Sequence, residues 1–158
     1  LGGLQILVNN AGIYAKGAAQ SADLDAFEAV IDVNVKALMN LTRIALPHIL
    51  AAQGMRSVIH IASIVSRMSF AGGGAYCASK HAVLGYSNAV FEDVREAGVK
   101  VCAIQPGYVN TDMVSGRGLA MEKMIQPEDI AATVRFVATY PDTGCPVEII
   151  VRPQRAPY

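Results

Sequence analysis

The chain has 158 residues, of which 53% are apolar and 16% charged, with 13 basic residues set against 13 acidic ones. That length holds one domain with a real core and leaves little room for a second. A balanced charge supplies no electrostatic pull toward nucleic acid or an anionic membrane, and the apolar run Leu38–Ala52 is broken by Asn40, Thr42, Arg43, Pro47 and His48 before it reaches spanning length.

Short β-branched runs alternate along the chain with longer stretches of helical spacing. Ile6-Leu7-Val8-Asn9 reads as the first strand. Leu24, Phe27, Val30, Ile31, Leu38, Leu41, Ile44 and Ala45 then recur at helical intervals up to Gly54, with Pro47 expected to kink or shorten the helix. Val58-Ile59-His60-Ile61 is the second strand. Ala78, Ala82, Val83, Gly85, Ala89, Val90 and Val94 mark a second helix, closed by Gly98 as a left-handed cap. Val99–Ile104 gives a third strand. Pro127-Glu128-Asp129 opens a third helix, proline and acids both suiting a first turn, with Ile130, Ala131, Val134 and Val137 as its apolar face. Val147–Val151 is the last strand. The order predicts an α/β fold: a parallel, doubly wound sheet of about four strands, buried on both faces under flanking helices.

In such sheets ligands lie beyond the carboxyl ends of the strands. Those ends carry Asn9-Asn10-Ala11-Gly12, then Ala62-Ser63, then Gln105-Pro106-Gly107-Tyr108, and the helix after Ser63 opens with Tyr76-Cys77-Ala78-Ser79-Lys80. A tyrosine and a lysine four apart share one helical face. An ammonium beside a phenol favours the phenolate and moves Tyr76 toward the working range of a general acid or base. Ser63 is placed to hydrogen-bond the same substrate oxygen. Alone, Tyr-x-x-x-Lys spacing is common on amphipathic helices and a lone serine means nothing. The order in which these elements occur is what carries the argument. Asn34 sits within a helical stretch, where its amide competes for backbone groups, so it marks either a local irregularity with a bound water or a solvated position.

With Asn-Asn-Ala-Gly, Ser63, Tyr-Cys-Ala-Ser-Lys and Pro-Gly in this order, the chain resembles the short-chain dehydrogenase/reductase family, in its Tyr-x-x-x-Lys branch, from Leu4 to about Pro153. The resemblance implies a partial Rossmann-like sheet and an NAD(P)-dependent oxidoreductase interconverting a ketone and a secondary alcohol. It implies Tyr76 as acid/base, Lys80 as pKa modulator and ligand of the nicotinamide ribose, Ser63 as substrate orienter, and Asn34 as holder of a water in the relay to Lys80. Asn10, Ala11 and Gly12 match the loop by the adenosine side of the cofactor. Pro106, Gly107 and Thr111 match the segment by the nicotinamide, the threonine hydroxyl reaching its carboxamide. Val65, Met68, Phe70, Tyr108 and the Met113–Met124 loop would shape the substrate pocket. A homodimer or homotetramer is expected, built on Ala37, Leu41 and Ala45 of one helix and Gly85, Ala89 and Asp93 of the next.

The family's glycine-rich phosphate turn has no counterpart here. Gly72-Gly73-Gly74 abuts the Tyr76 motif and reads as a hinge in the substrate loop; Gly116-Arg117-Gly118 follows no strand, and Gly2-Gly3 precedes one. The chain begins at Leu1 rather than Met. The expectation is therefore a single incomplete catalytic domain over residues 1–158, lacking an N-terminal βαβαβ half of roughly 90 residues at about 30 per unit, together with the residue that separates NAD from NADP. The alternative is a truncated, non-catalytic relative serving as an oligomerisation or interaction module. Cys77, Cys102 and Cys145 are too few and too scattered for a disulfide scaffold or zinc site, and His48, His60 and His81 share no metal-ligand spacing. No metal is expected, and a reducing cytoplasmic setting is the simplest reading.

Overall fold

A computed structural model of the protein describes residues 3–116 and 118–158; Leu1, Gly2 and Arg117 lie outside the described residues. The elements are β1 (Ile6–Asn9), α1 (Leu24–Ile31), α2 (Leu38–Ala51), β2 (Ser57–Ile61), α3 (Gly74–Val94), β3 (Lys100–Pro106), α4 (Pro127–Ala138) and β4 (Glu148–Val151). All neighbouring strands pair in parallel in the order β1-β2-β3-β4, with Val8 opposite Ile59, Ile59 opposite Cys102 and Ile104 opposite Ile149. The expected sheet is present.

Strand alternation sorts the core into two layers. Val58 and Val101 point to the face covered by α2 and α3, where they pack with Leu7, Ala45, Ile49, Val90 and Val94. Ile59, Cys102 and Ile104 point the other way, against Val137 and Ala138 of α4. Among the described residues, β2 and β3 are the strands covered on both sides. On β1, Leu7 and Asn9 are buried while Ile6 and Val8 remain 38% and 37% exposed, and on β4 Ile150 is 53% exposed. The expectation of strands buried on both faces therefore fails at the two outer strands, because no described helix lies over Ile6, Val8 or Ile150.

The first long helical stretch is interrupted where the sequence suggested continuity. Asp23 caps α1 by accepting from the backbone N–H groups of Asp25 and Ala26. From Asp32 to Ala37 the backbone widens into a π-helical segment before α2 resumes. The segment carries Asn34 inward, to 1% exposure, which rules out the solvated alternative and leaves the local irregularity. Pro47 does not end α2, which runs on to Ala51. Ala45 is in the core and so is unavailable to a neighbouring subunit, whereas Ala37, Leu41, Gly85, Ala89 and Asp93 are exposed. Helix α3 closes through a 3₁₀ turn at Gly98 (φ +73°), as its sequence predicts. Helix α4 begins with a reciprocal capping box between Gln126 and Asp129.

Candidate active site

Three chain segments leave the carboxyl ends of β1, β2 and β3 and meet at the N-terminal half of α3. After β2 the chain is extended at Ser63, whose hydroxyl accepts from Val65 N (3.3 Å), caps a 3₁₀ turn at Ile64–Ser66, and donates to the Pro106 carbonyl (3.4 Å) at the end of β3. Helix α3 packs on that turn. The Lys80 ammonium lies 5.8 Å from the centre of the Tyr76 ring and donates to the carbonyl of Ile61, two residues before Ser63 (2.8 Å). Lys80 is 5% exposed, and burial pushes its pKa down to about 8. The ammonium carries three N–H donors, one of which goes to the Ile61 carbonyl.

The loop after β1 approaches the same lysine. A Cβ at Gly12 would lie 3.6 Å from Lys80 Nζ and 3.4 Å from Asn34 Oδ1, so glycine keeps open a small space beside the ammonium. Asn34 then clamps the next residue in both directions: Oδ1 accepts from Ile13 N (2.8 Å) and Nδ2 donates to Ile13 O (2.9 Å). Its second amide hydrogen goes to Ser79 Oγ (3.1 Å), and Ser79 donates to the Tyr76 carbonyl (2.8 Å). Asn34 thus ties the loop after β1 to the backbone of Tyr76. Asn10 and Ala11 are exposed on that loop.

On the third segment Pro106 is buried and Gly107 donates to Val151 O (2.8 Å); a Cβ at Gly107 would meet Pro153 Cδ at 2.9 Å. Thr111 is exposed, its hydroxyl turned back on the Val109 carbonyl (3.4 Å). The structure therefore gathers Asn34, Tyr76, Lys80 and Gly12 into one cluster, joins Ser63 to Pro106 beside it, and leaves Asn10, Ala11 and Thr111 on its rim.

Two features were not singled out from sequence. Tyr14 sets its ring edge-on to Tyr76 at 5.3 Å between centres. Its position just past Asn10-Ala11-Gly12, at a strand's carboxyl end, was the available signal. The second is a polar network in which Glu148 takes Asn88 Nδ2 (3.2 Å), Gln105 Nε2 (2.9 Å) and the Arg67 guanidinium, while Arg67 Nε donates to Gln105 Oε1 (3.2 Å). These donors hold the Glu148 carboxyl below its usual range against the opposing effect of burial. Nothing local in sequence joins four residues from four separate segments.

The described arrangement, a phenol and a buried cation one turn apart at the carboxyl edge of a parallel sheet, coincides with a family match over most of the chain. A family model described as short chain dehydrogenase matches residues 1–121. The chain belongs to that family. A 3-oxoacyl-[acyl-carrier-protein] reductase from Synechocystis sp. is 32% identical over 87% of this chain and 58% of its own length. A structure from Agrobacterium Tumefaciens with bound NADP superposes with a TM-score of 0.84 at 27% identity, over 94% of this chain and 65% of that one. The 3-ketoacyl-(acyl-carrier-protein) reductase from Brucella melitensis complexed with NADH shares the fold, with a TM-score of 0.86 at 24% identity over 98% of this chain and 68% of that one. The chain thus spans between just under three fifths and about two thirds of these proteins' lengths. Among the described residues no helix is long and apolar enough to cross a membrane.

Proposed function

We propose that this short-chain dehydrogenase family member carries the acid–base and substrate-orienting part of an NAD- or NADP-dependent oxidoreductase that interconverts a ketone and a secondary alcohol. The observation that carries the reading is the Lys80 ammonium, buried and 5.8 Å from the Tyr76 ring. A cation there stabilises the phenolate, so the Tyr76 hydroxyl delivers a proton to a carbonyl oxygen becoming an alcohol and recovers it in the reverse direction. Ser63 holds the same oxygen, exchanging its long contact with Pro106 O for one to substrate. Asn34 acts through Ile13, Ser79 and the Tyr76 backbone as a positioning residue. A non-catalytic module would gain nothing from burying the charge of Lys80.

The residues fit the nicotinamide end of the cofactor. The space kept by Gly12 adjoins Lys80, whose ammonium donors suit ribose hydroxyls. Pro106, Gly107 and Thr111 would lie by the nicotinamide ring, with Asn10 and Ala11 toward the adenosine. When bound, the nicotinamide supplies or accepts the hydride. No glycine-rich turn in this sequence suits the pyrophosphate. The reading therefore assigns that turn to a further βαβαβ unit beside β1, which would also cover Ile6 and Val8. Self-association into a homodimer or homotetramer is assigned to the outer faces of α2 and α3, where Leu41 and Ile44 are 48% and 62% exposed and nothing stands within 4 Å of a Cβ at Gly85.

Tyr76→Phe in the native enzyme tests the reading. Turnover of carbonyl substrates should fall at least about 10²-fold, the scale of general acid–base catalysis, while NADPH or NADH binding stays close to wild type. Retained turnover would overturn it.

A further inference from the structure

The wall beside Tyr76 is aromatic and held in place from two sides. Tyr14 meets Tyr76 edge-on (5.3 Å, 79°) and stacks on Phe70 (6.4 Å, 26°). Phe70 lies against Gly73, where a Cβ would fall 2.4–2.9 Å from three atoms of its ring; only glycine lets the ring sit there. Gly73 N donates to Phe70 O (3.2 Å), Gly17 N donates to Gly72 O (3.0 Å), and Gly17 and Gly73 form a β-bridge. The Gly72-Gly73-Gly74 run, whose composition suggests a hinge in the substrate loop, is stitched to the loop carrying Tyr14 and seats the Phe70 ring. At Tyr14's own end, Asn34 clamps Ile13. Tyr14 is half-buried and Phe70 is 43% exposed, so ring surface remains open next to the phenol.

We infer that Tyr14 and Phe70 form a preformed recognition wall for the substituent on the substrate's carbonyl carbon, which makes the substrates ketones or secondary alcohols bearing a flat aromatic or cyclic apolar group. This rests on Tyr76 being the acid/base, since the wall is defined by its contact with that ring. Ring–ring contacts contribute beyond simple area burial, and a rigid seat lowers the ordering cost of using them.

The test compares an aryl ketone (acetophenone) with a short aliphatic ketone (butanone) in the native enzyme with NADPH or NADH. In Phe70→Ala, which leaves Tyr76 untouched, KM for acetophenone should rise about two- to twelvefold, the scale of one lost aromatic pair, with KM for butanone and both kcat values within about twofold. An equal change for both ketones would overturn the wall while leaving the acid/base assignment standing. If wild type turns over neither ketone, nor any other carbonyl or alcohol, the catalytic reading fails. Saturation-transfer NMR with acetophenone then decides the wall separately: binding weakened by Phe70→Ala supports it, and absent or unchanged binding overturns it.

Discussion

The cost of keeping Lys80 charged can be read directly as a pH-dependent stability. Its folded pKa is about 8 against 10.5 for an ordinary lysine, the cause being burial. Between those values the unfolded chain holds a proton that the folded chain has released, so stability rises with pH across that window. The two pKa values give a penalty of about 3 kcal/mol at pH 7 that falls below about 1 kcal/mol at pH 10. Lys80→Met keeps the volume and removes the titration. Urea unfolding followed by circular dichroism at pH 7, 8, 9 and 10 should show wild type gaining about 2–3 kcal/mol relative to Lys80→Met across the series. The difference is the quantity to follow, because the Cys102 thiol, pushed up to about 12 by burial, acts in the opposite direction above pH 9. Parallel curves for the two proteins would refute the reasoning. The same variant should lose carbonyl turnover, so stability and activity would move apart at one residue.

Four further outcomes are expected. His60 is fully buried with a pKa lowered to about 4, so stability should be intact above pH 6.5 and fall by about 3 kcal/mol by pH 4; acid titration of His60→Leu should lack that slope. Asn34→Ala strands both backbone groups of Ile13 and should cost about 1–3 kcal/mol in urea unfolding, with a lower kcat in the native enzyme. Gly107→Ala forces a methyl to within 2.9 Å of Pro153 and should cost about 1–3 kcal/mol by the same measurement. Calorimetric titration of the 158-residue polypeptide alone with NADPH or NADH should find weak or no binding; micromolar affinity would show that no further phosphate-binding unit is needed.

Much of the sheet and of its carboxyl edge was legible because both depend on local pattern. Runs such as Val58–Ile61 announce buried strands, and Gly98 and Pro127 announce a helix end and a helix start through backbone preference alone. What was not legible depends on partners distant in sequence. The open face of β4 at Ile150 follows from which helix covers which strand, and alternation of side chains does not encode that. Asn34 was placed among the candidates, but its use as a backbone clamp requires Ile13 to lie beside a π-helical segment 21 residues later. The roles of Tyr14 and Glu148 are hidden for the same reason: each acquires its meaning from residues brought in by distant segments, Tyr76 and Phe70 for the first, Arg67, Asn88 and Gln105 for the second.

The buried polar groups on the α2/α3 side of the sheet show how the fold supports a costly site. Thr42 gives its hydroxyl hydrogen to Leu38 O (2.8 Å) and accepts from Asn9 Nδ2 (2.9 Å), so the His60 ring at 3.4 Å must present Nε2–H to it and keep Nδ1 as a bare acceptor. Protonating that ring would bury a charge, and the lowered pKa follows. Asn9 and His60 sit opposite each other on β1 and β2, and each immediately precedes residues of the proposed site: the Asn10–Gly12 loop on one strand, and Ile61, Ala62 and Ser63 on the other. Neutral groups linked through the Thr42 hydroxyl thus hold the strand ends in register, with the His60 Nδ1 left unpaired, while the buried charge beside them is that of Lys80. A site whose cation depends on low exposure needs rigid surroundings of this kind, because water admitted by a loosened strand end would restore the ordinary lysine pKa and weaken the pull on the phenol.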